Sequence, residues 1–183
     1  MFSPMFDKLK FYGSRYRLNL ATCAELRKVA DEALNAGHYS SPLVDAALDA
    51  ENILWEVGPA FMAALAELKL VVPESTEECI WIALHYPTQQ IATLAVEPEV
   101  GLASIMEVYR GCNLYDRSKN FVGDSHDVQN LIGAYWEYDE IWERYRGYGG
   151  AKFQEGHRQA RDLDKDIIGR CQDWLSKHTI ELN

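Results

Sequence analysis

His126 and Asp127 stand side by side in "SHDV", an imidazole and a carboxylate that could both donate to one cation. A cation held in that way lowers the pKa of a bound water and makes a nucleophile of it at neutral pH. Closing the shell takes further nitrogen and oxygen ligands from elsewhere, and His85 and Asp164 are of the right type. No local pattern joins them to the pair. The pair also falls where a helix begins, and an acidic residue there is favoured by the helix dipole alone. Helix-start polarity is the better reading, so no catalytic residue and no metal ligand is assigned.

Set in a helical chain, adjacent His126 and Asp127 resemble the HD-type metal phosphohydrolases, which need an upstream His and a downstream Asp to complete the metal shell. The resemblance covers two residues. It implies an alternative function, a metal-dependent phosphohydrolase using His126 and Asp127 with distant ligands.

Paired carboxylates are dense in "YWEYDEIWERY". Asp139 and Glu143 share one helix face, with Glu137 and Glu140 on a neighbouring one. Acid and base catalysis needs one such carboxyl raised in pKa by a dry cleft, and solvated helical surface is the commoner setting. The aromatic company is more informative. Tyr and Trp are enriched in binding hot spots, and carboxylates beside them select a basic partner. Trp136, Tyr138, Asp139, Glu140 and Glu143 therefore form the expected binding face.

"RYRGYGGAKF" gathers Arg144, Arg146 and Lys152 near Tyr148 and Phe153, yet its glycines follow a helix and no Gly-Lys-Ser/Thr closes the segment. A phosphate-cradling loop is excluded on that ground, and a glycine-rich link between helices is expected. Cys79 and His85 are six residues apart, which matches no closed zinc spacing, and no local signature marks a cysteine nucleophile. No cofactor is expected, and an enzyme is the less favoured class.

The elements that must position these residues read as helices. Thr22 and Glu25 have the reciprocal spacing of a capping box, and Leu26, Val29, Ala30, Ala33 and Leu34 follow as a stripe. Gly37 is placed to end that helix in a left-handed conformation. Ser41 and Pro42 start the next, with Leu43, Ala46, Ala47 and Ala50 continuing the stripe. The intervening "GHYS" reads as a hinge with Tyr39 packed over it and His38 exposed. Further helices are expected from Gly58 and Pro59, from Ser75 to near His85 where Pro87 limits it, and from Pro98 to Gly111. The run "IATLAV" leaves minor strand content near 90–96 open, because short apolar runs do not separate helix from strand. Asp124 or Ser125 caps a long helix, and a final helix spans about 157–177. The expectation is an all-α, single-domain, irregular bundle or array of about seven helices. Residues 1–19 are its N-terminal extension, and 112–124 and 147–156 are surface connections.

Within that pattern "ADEALNAGHYSSPLVDAAL", residues 30–48, resembles the N-terminal helical hairpin of bacterial all-helical domains that include immunity proteins of polymorphic toxin systems. Ala33, Leu34, Gly37, Tyr39, Ser40 and Leu43 carry the match. The resemblance implies a small, acidic, cytoplasmic, non-catalytic protein that occludes a basic effector.

Composition bounds the same reading. In 183 residues, 48% are hydrophobic and 25% charged, the balance of a folding domain. No apolar run approaches the roughly 18 residues of a membrane span, so no membrane partner and a cytoplasmic location are expected. Four scattered cysteines without CxxC spacing read as reduced and mostly buried. A net charge of −10 argues against nucleic acid and for a protein partner with a basic surface.

Overall fold

A computed structural model describes residues 4–48, 53–121 and 124–179. Among the described residues it is all-α, with eight α-helices in order: α1 Pro4–Arg17, α2 Cys23–Asn35, α3 Ser41–Leu48, α4 Leu54–Glu67, α5 Thr76–Ala92, α6 Pro98–Gly111, α7 Gln129–Tyr145 and α8 Gly150–Lys177. A short 3₁₀ turn, Ser125–Asp127, precedes α7. No strand occurs among the described residues, and the apolar run near 90–96 is the last turn of α5 followed by a turn. The chain gathers into two compact units, one built on the stretch up to Tyr86 and one from Pro87 to Glu181.

The first unit packs α1 and α4 on α2, and α3 on both α2 and α4. Its core holds Leu9, Leu26, Val29, Ala30, Ala33, Leu43, Val57, Phe61 and Leu65. The expected capping box forms: the Thr22 hydroxyl accepts from the Glu25 N–H, and the Glu25 carboxylate accepts from the Thr22 N–H at 2.7 Å. The segment expected as an N-terminal extension is α1, and it is structural. Arg15 is only 2% exposed, donating to the Leu20 carbonyl at 2.9 Å and to Glu25 Oε1 at 3.1 Å. A cation at a buried position hides the helix from a reading of apolar periodicity, because its burial is made tolerable by partners distant in sequence.

Three details of the hinge also differ. Gly37 adopts the expected left-handed φ of 85°, but Ser40 takes the cap expected of Ser41, its hydroxyl accepting from the Leu43 N–H at 3.2 Å. Tyr39 is 74% exposed instead of covering the junction. His38 does the packing, its ring 4.7 Å from that of Phe6. Phe6 belongs to α1, so the helix not anticipated at the N-terminus supplies the surface that turns His38 inward. Ala50 lies outside the described residues.

Both internal prolines sit within helices. α4 starts at Leu54 and runs through Pro59, and α5 runs through Pro87 to Ala92 instead of stopping near His85. Each proline forfeits one backbone hydrogen bond. Burial on either side outweighs the loss: Val57 and Phe61 flank Pro59, and Leu84 and Ile91 flank Pro87, all fully buried.

The second unit packs α7 on α6 and α8, and α6 also on α8. Its core comes from Leu102, Ile105 and Met106 of α6, Leu131, Ile132 and Ala134 of α7, and Leu163, Ile167, Cys171 and Trp174 of α8. Gly101 allows α6 to approach Ile91 closely, because an added methyl there would overlap the isoleucine side chain. α8 begins at Gly150, so residues 150–156 of the expected connection are helical and the link shortens to 146–149. Residues 112–121 form turns and bends, as a surface connection should. Cys79 and Cys171 are buried, and Cys23 and Cys112 partly so. Burial pushes the Cys171 thiol up to about 12, far from reactivity at neutral pH.

Candidate functional site

The acidic aromatic stretch lies on α7, and helix geometry divides it. At about 100° per residue, Trp136, Asp139, Glu140 and Glu143 project within a wedge of roughly 100°. Ala134 and Tyr138 point to the other side, and both are buried. Trp136 is 46% exposed, and the three carboxylates are exposed. None of Asp139, Glu140 and Glu143 has an ion-pair partner among the described residues. Four of the five expected residues therefore share one open face.

Tyr138 does not belong to that face, being 3% exposed. Its hydroxyl donates to Asp164 of α8. Burial raises its pKa, and the Asp164 bond and the negative charges of Asp164, Glu99 and Glu97 push the same way, so it remains a neutral donor. It fixes α7 against α8 and thereby sets the outward angle of Trp136. The remaining aromatics also face structure. The Trp142 indole donates to Glu99 of α6 at 3.1 Å, and the Arg110 guanidinium lies 5.8 Å from the Tyr135 ring centre. Glu137 is held by Arg170 at 3.0 Å. What is left for a partner is one half-exposed indole ringed by unneutralised carboxylates.

His126 and Asp127 occupy the 3₁₀ turn, both with left-handed backbone at φ 60° and 54°. Such conformations cost a non-glycine residue on the order of 1 kcal/mol each, so the surroundings must hold them. The structure shows how. The Trp174 indole donates to the His126 carbonyl at 3.0 Å, and His178 Nε2 lies 3.1 Å from Asp127 Oδ2. His126 Nδ1 is 2.8 Å from the Ser125 hydroxyl. Trp174 and His178 are one turn apart at the end of α8, so the turn and the helix end clasp each other. A cleft of about 200 Å³ beside the clasp is lined by Gln129, Asn130, Arg170, Asp173 and Lys177. Sequence reasoning named Asp127 but missed His178, whose position one helical turn after Trp174 is its only local signal.

Among the described residues, no three His, Cys, Asp or Glu side chains gather in a way that could hold a metal ion. Asp164, one of the distant ligands that the phosphohydrolase alternative would need, is engaged by Tyr138. His85 is partly buried, and desolvation lowers its pKa, which favours the neutral imidazole.

No family model matches the sequence, and no curated protein or solved structure matches it either.

Proposed function

We infer that the chain is a non-catalytic binding protein that docks a basic protein surface on the outer face of α7, with immunity-like occlusion of a basic effector as its most concrete form. The observation that carries this reading is Trp136, half-exposed on a helix face where Asp139, Glu140 and Glu143 have no cation of their own. A large amphipathic ring at the centre of unneutralised charge is what a basic hot spot would meet. The partner's arginines would stack on the indole and pair with Asp139 or Glu140, one turn away along the helix, or with Glu143 a turn beyond. The overall charge of −10 adds long-range attraction to a basic effector and raises the encounter rate. Occlusion asks for nothing more than a rigid face, and the Tyr138 anchor to Asp164 provides the rigidity. No helix among the described residues is long and apolar enough to cross a membrane, which is compatible with action in the cytoplasm.

The test is affinity capture from the source cell with two baits, the wild-type chain and a Glu140→Lys/Glu143→Lys variant, each with its helix content checked by circular dichroism. A basic protein recovered by the first bait and lost from the second supports the reading. Undiminished recovery on the reversed face would sink it. Elemental analysis of the wild-type chain beside a His126→Ala variant addresses the hydrolase alternative, because about one equivalent of metal that disappears in the variant would favour it.

A further inference from the structure

The α7–α8 hairpin sets a basic tip beyond an acidic stretch of α7. Residues 136–143 carry Glu137, Asp139, Glu140 and Glu143 and no cation, whereas 144–154, where α7 ends and α8 begins, carry Arg144, Arg146 and Lys152 and no carboxylate. Arg170 absorbs Glu137. Asp139, Glu140, Glu143, Arg144 and Arg146 are exposed, and none has an ion pair among the described residues. Glu140 and Arg144 even have the spacing at which a helix makes its own pair, but they do not meet. Lys152 lies in the first turn of α8, which opens without a side-chain cap and without an acidic residue, and its ammonium rests 4.3 Å from the Tyr148 ring centre. Half-exposed rings accompany both parts, Trp136 in the acidic stretch and Tyr148 and Phe153 in the basic one.

We propose that this hairpin is a self-association surface: two copies of the chain lie antiparallel about a two-fold axis, the basic tip of each on the acidic α7 face of the other. A two-fold interface has to be complementary to itself. A surface whose two signs sit on either side of one point, here the junction of Glu143 and Arg144, meets that condition when turned half a revolution. The second copy is the fitting partner because one chain carries both halves of the complementarity. Repulsion between two chains of net charge −10 opposes the encounter, but it is screened beyond about 8 Å at physiological salt, so the charges in contact decide. The pairing stands independently of the effector reading. A basic effector on the same α7 face would displace the second copy, so the two occupants exclude each other.

Sedimentation of the 183-residue chain alone tests this, at about 5–200 µM protein in roughly 50 mM and 500 mM salt. The expected result is a reversible monomer–dimer equilibrium at low salt whose dissociation constant rises about tenfold or more at high salt. Glu140→Lys/Glu143→Lys and Arg144→Glu/Arg146→Glu should each sediment as monomers, because either reversal sets like charge on like in both halves of the interface. Mixed in equal amounts, the two variants should form a dimer again, since each then offers what the other lacks. If a reversed variant loses its circular dichroism spectrum, the neutral Glu140→Gln/Glu143→Gln variant takes its place and should weaken the dimer. A monomer at every concentration, a dimer indifferent to salt and to reversal, or a mixture that stays monomeric would each overturn the proposal.

Discussion

Asp124 gathers the backbone that precedes it. Its carboxylate accepts from the Lys119 N–H at 2.8 Å and from the Asn120 N–H at 2.6 Å. Those bonds, the Asn120 one foremost, hold its pKa below the usual aspartate value. A carboxyl whose folded pKa is lowered contributes stability that is present above its unfolded pKa, about 3.9, and is lost as pH falls through the folded value. The amide resonances of Lys119 and Asn120 should therefore hold steady from neutral pH down to about 4 and move only below it. In Asp124→Ala the same two resonances should show no such low-pH step, and a step that persists would assign the titration to another group. The candidate face shows a second lesson at this scale. Trp136 and Tyr138 are equally aromatic and lie two residues apart, so composition groups them, whereas the helical angle sends one outward and the other to Asp164.

Where an element's signal is local, the sequence is legible, and α2 is the clearest case. Thr22 and Glu25 satisfy each other's backbone without help from the rest of the chain. Thr22→Ala should cost about 1 kcal/mol, read as a lower denaturant midpoint with an unchanged slope. A loss near zero would mean that Arg15, which also holds Glu25, anchors the helix start without the cap. Legibility fails where the deciding contact is remote. α1 carries Lys10 and Arg15 on buried positions, and nothing within residues 4–17 announces that Glu25 and the Leu20 carbonyl will receive the guanidinium. Pro87 failed as a stop signal for a related reason, since a penalty of a few kcal/mol is outweighed by fully buried Leu84 and Ile91 on either side. The choice between Ser40 and Ser41 as cap was closed to sequence because either serine precedes Pro42 at an acceptable distance, and only the burial of Ser40 separates them.

At the scale of the whole molecule, the contacts form two compact units. Phe61 is fully buried in the first. Phe61→Ala should cost about 3–5 kcal/mol, with amide exchange quickening in α2, α3 and α4, whose helices pack around it. Exchange rates there that match the wild type would show that the site collapses around the smaller side chain. The −10 total also conceals an arrangement, because the acidic stretch 136–143 of α7 is followed at once by Arg144, Arg146 and Lys152 at the hairpin's tip. The clasp at the far end of that hairpin has a mechanical meaning. Trp174 and His178 grip the left-handed turn at His126 and Asp127, so tension applied beyond His178 in a peeling direction loads the His178 contact first and the Trp174 bond second, and the helix end comes away from the turn one anchor at a time.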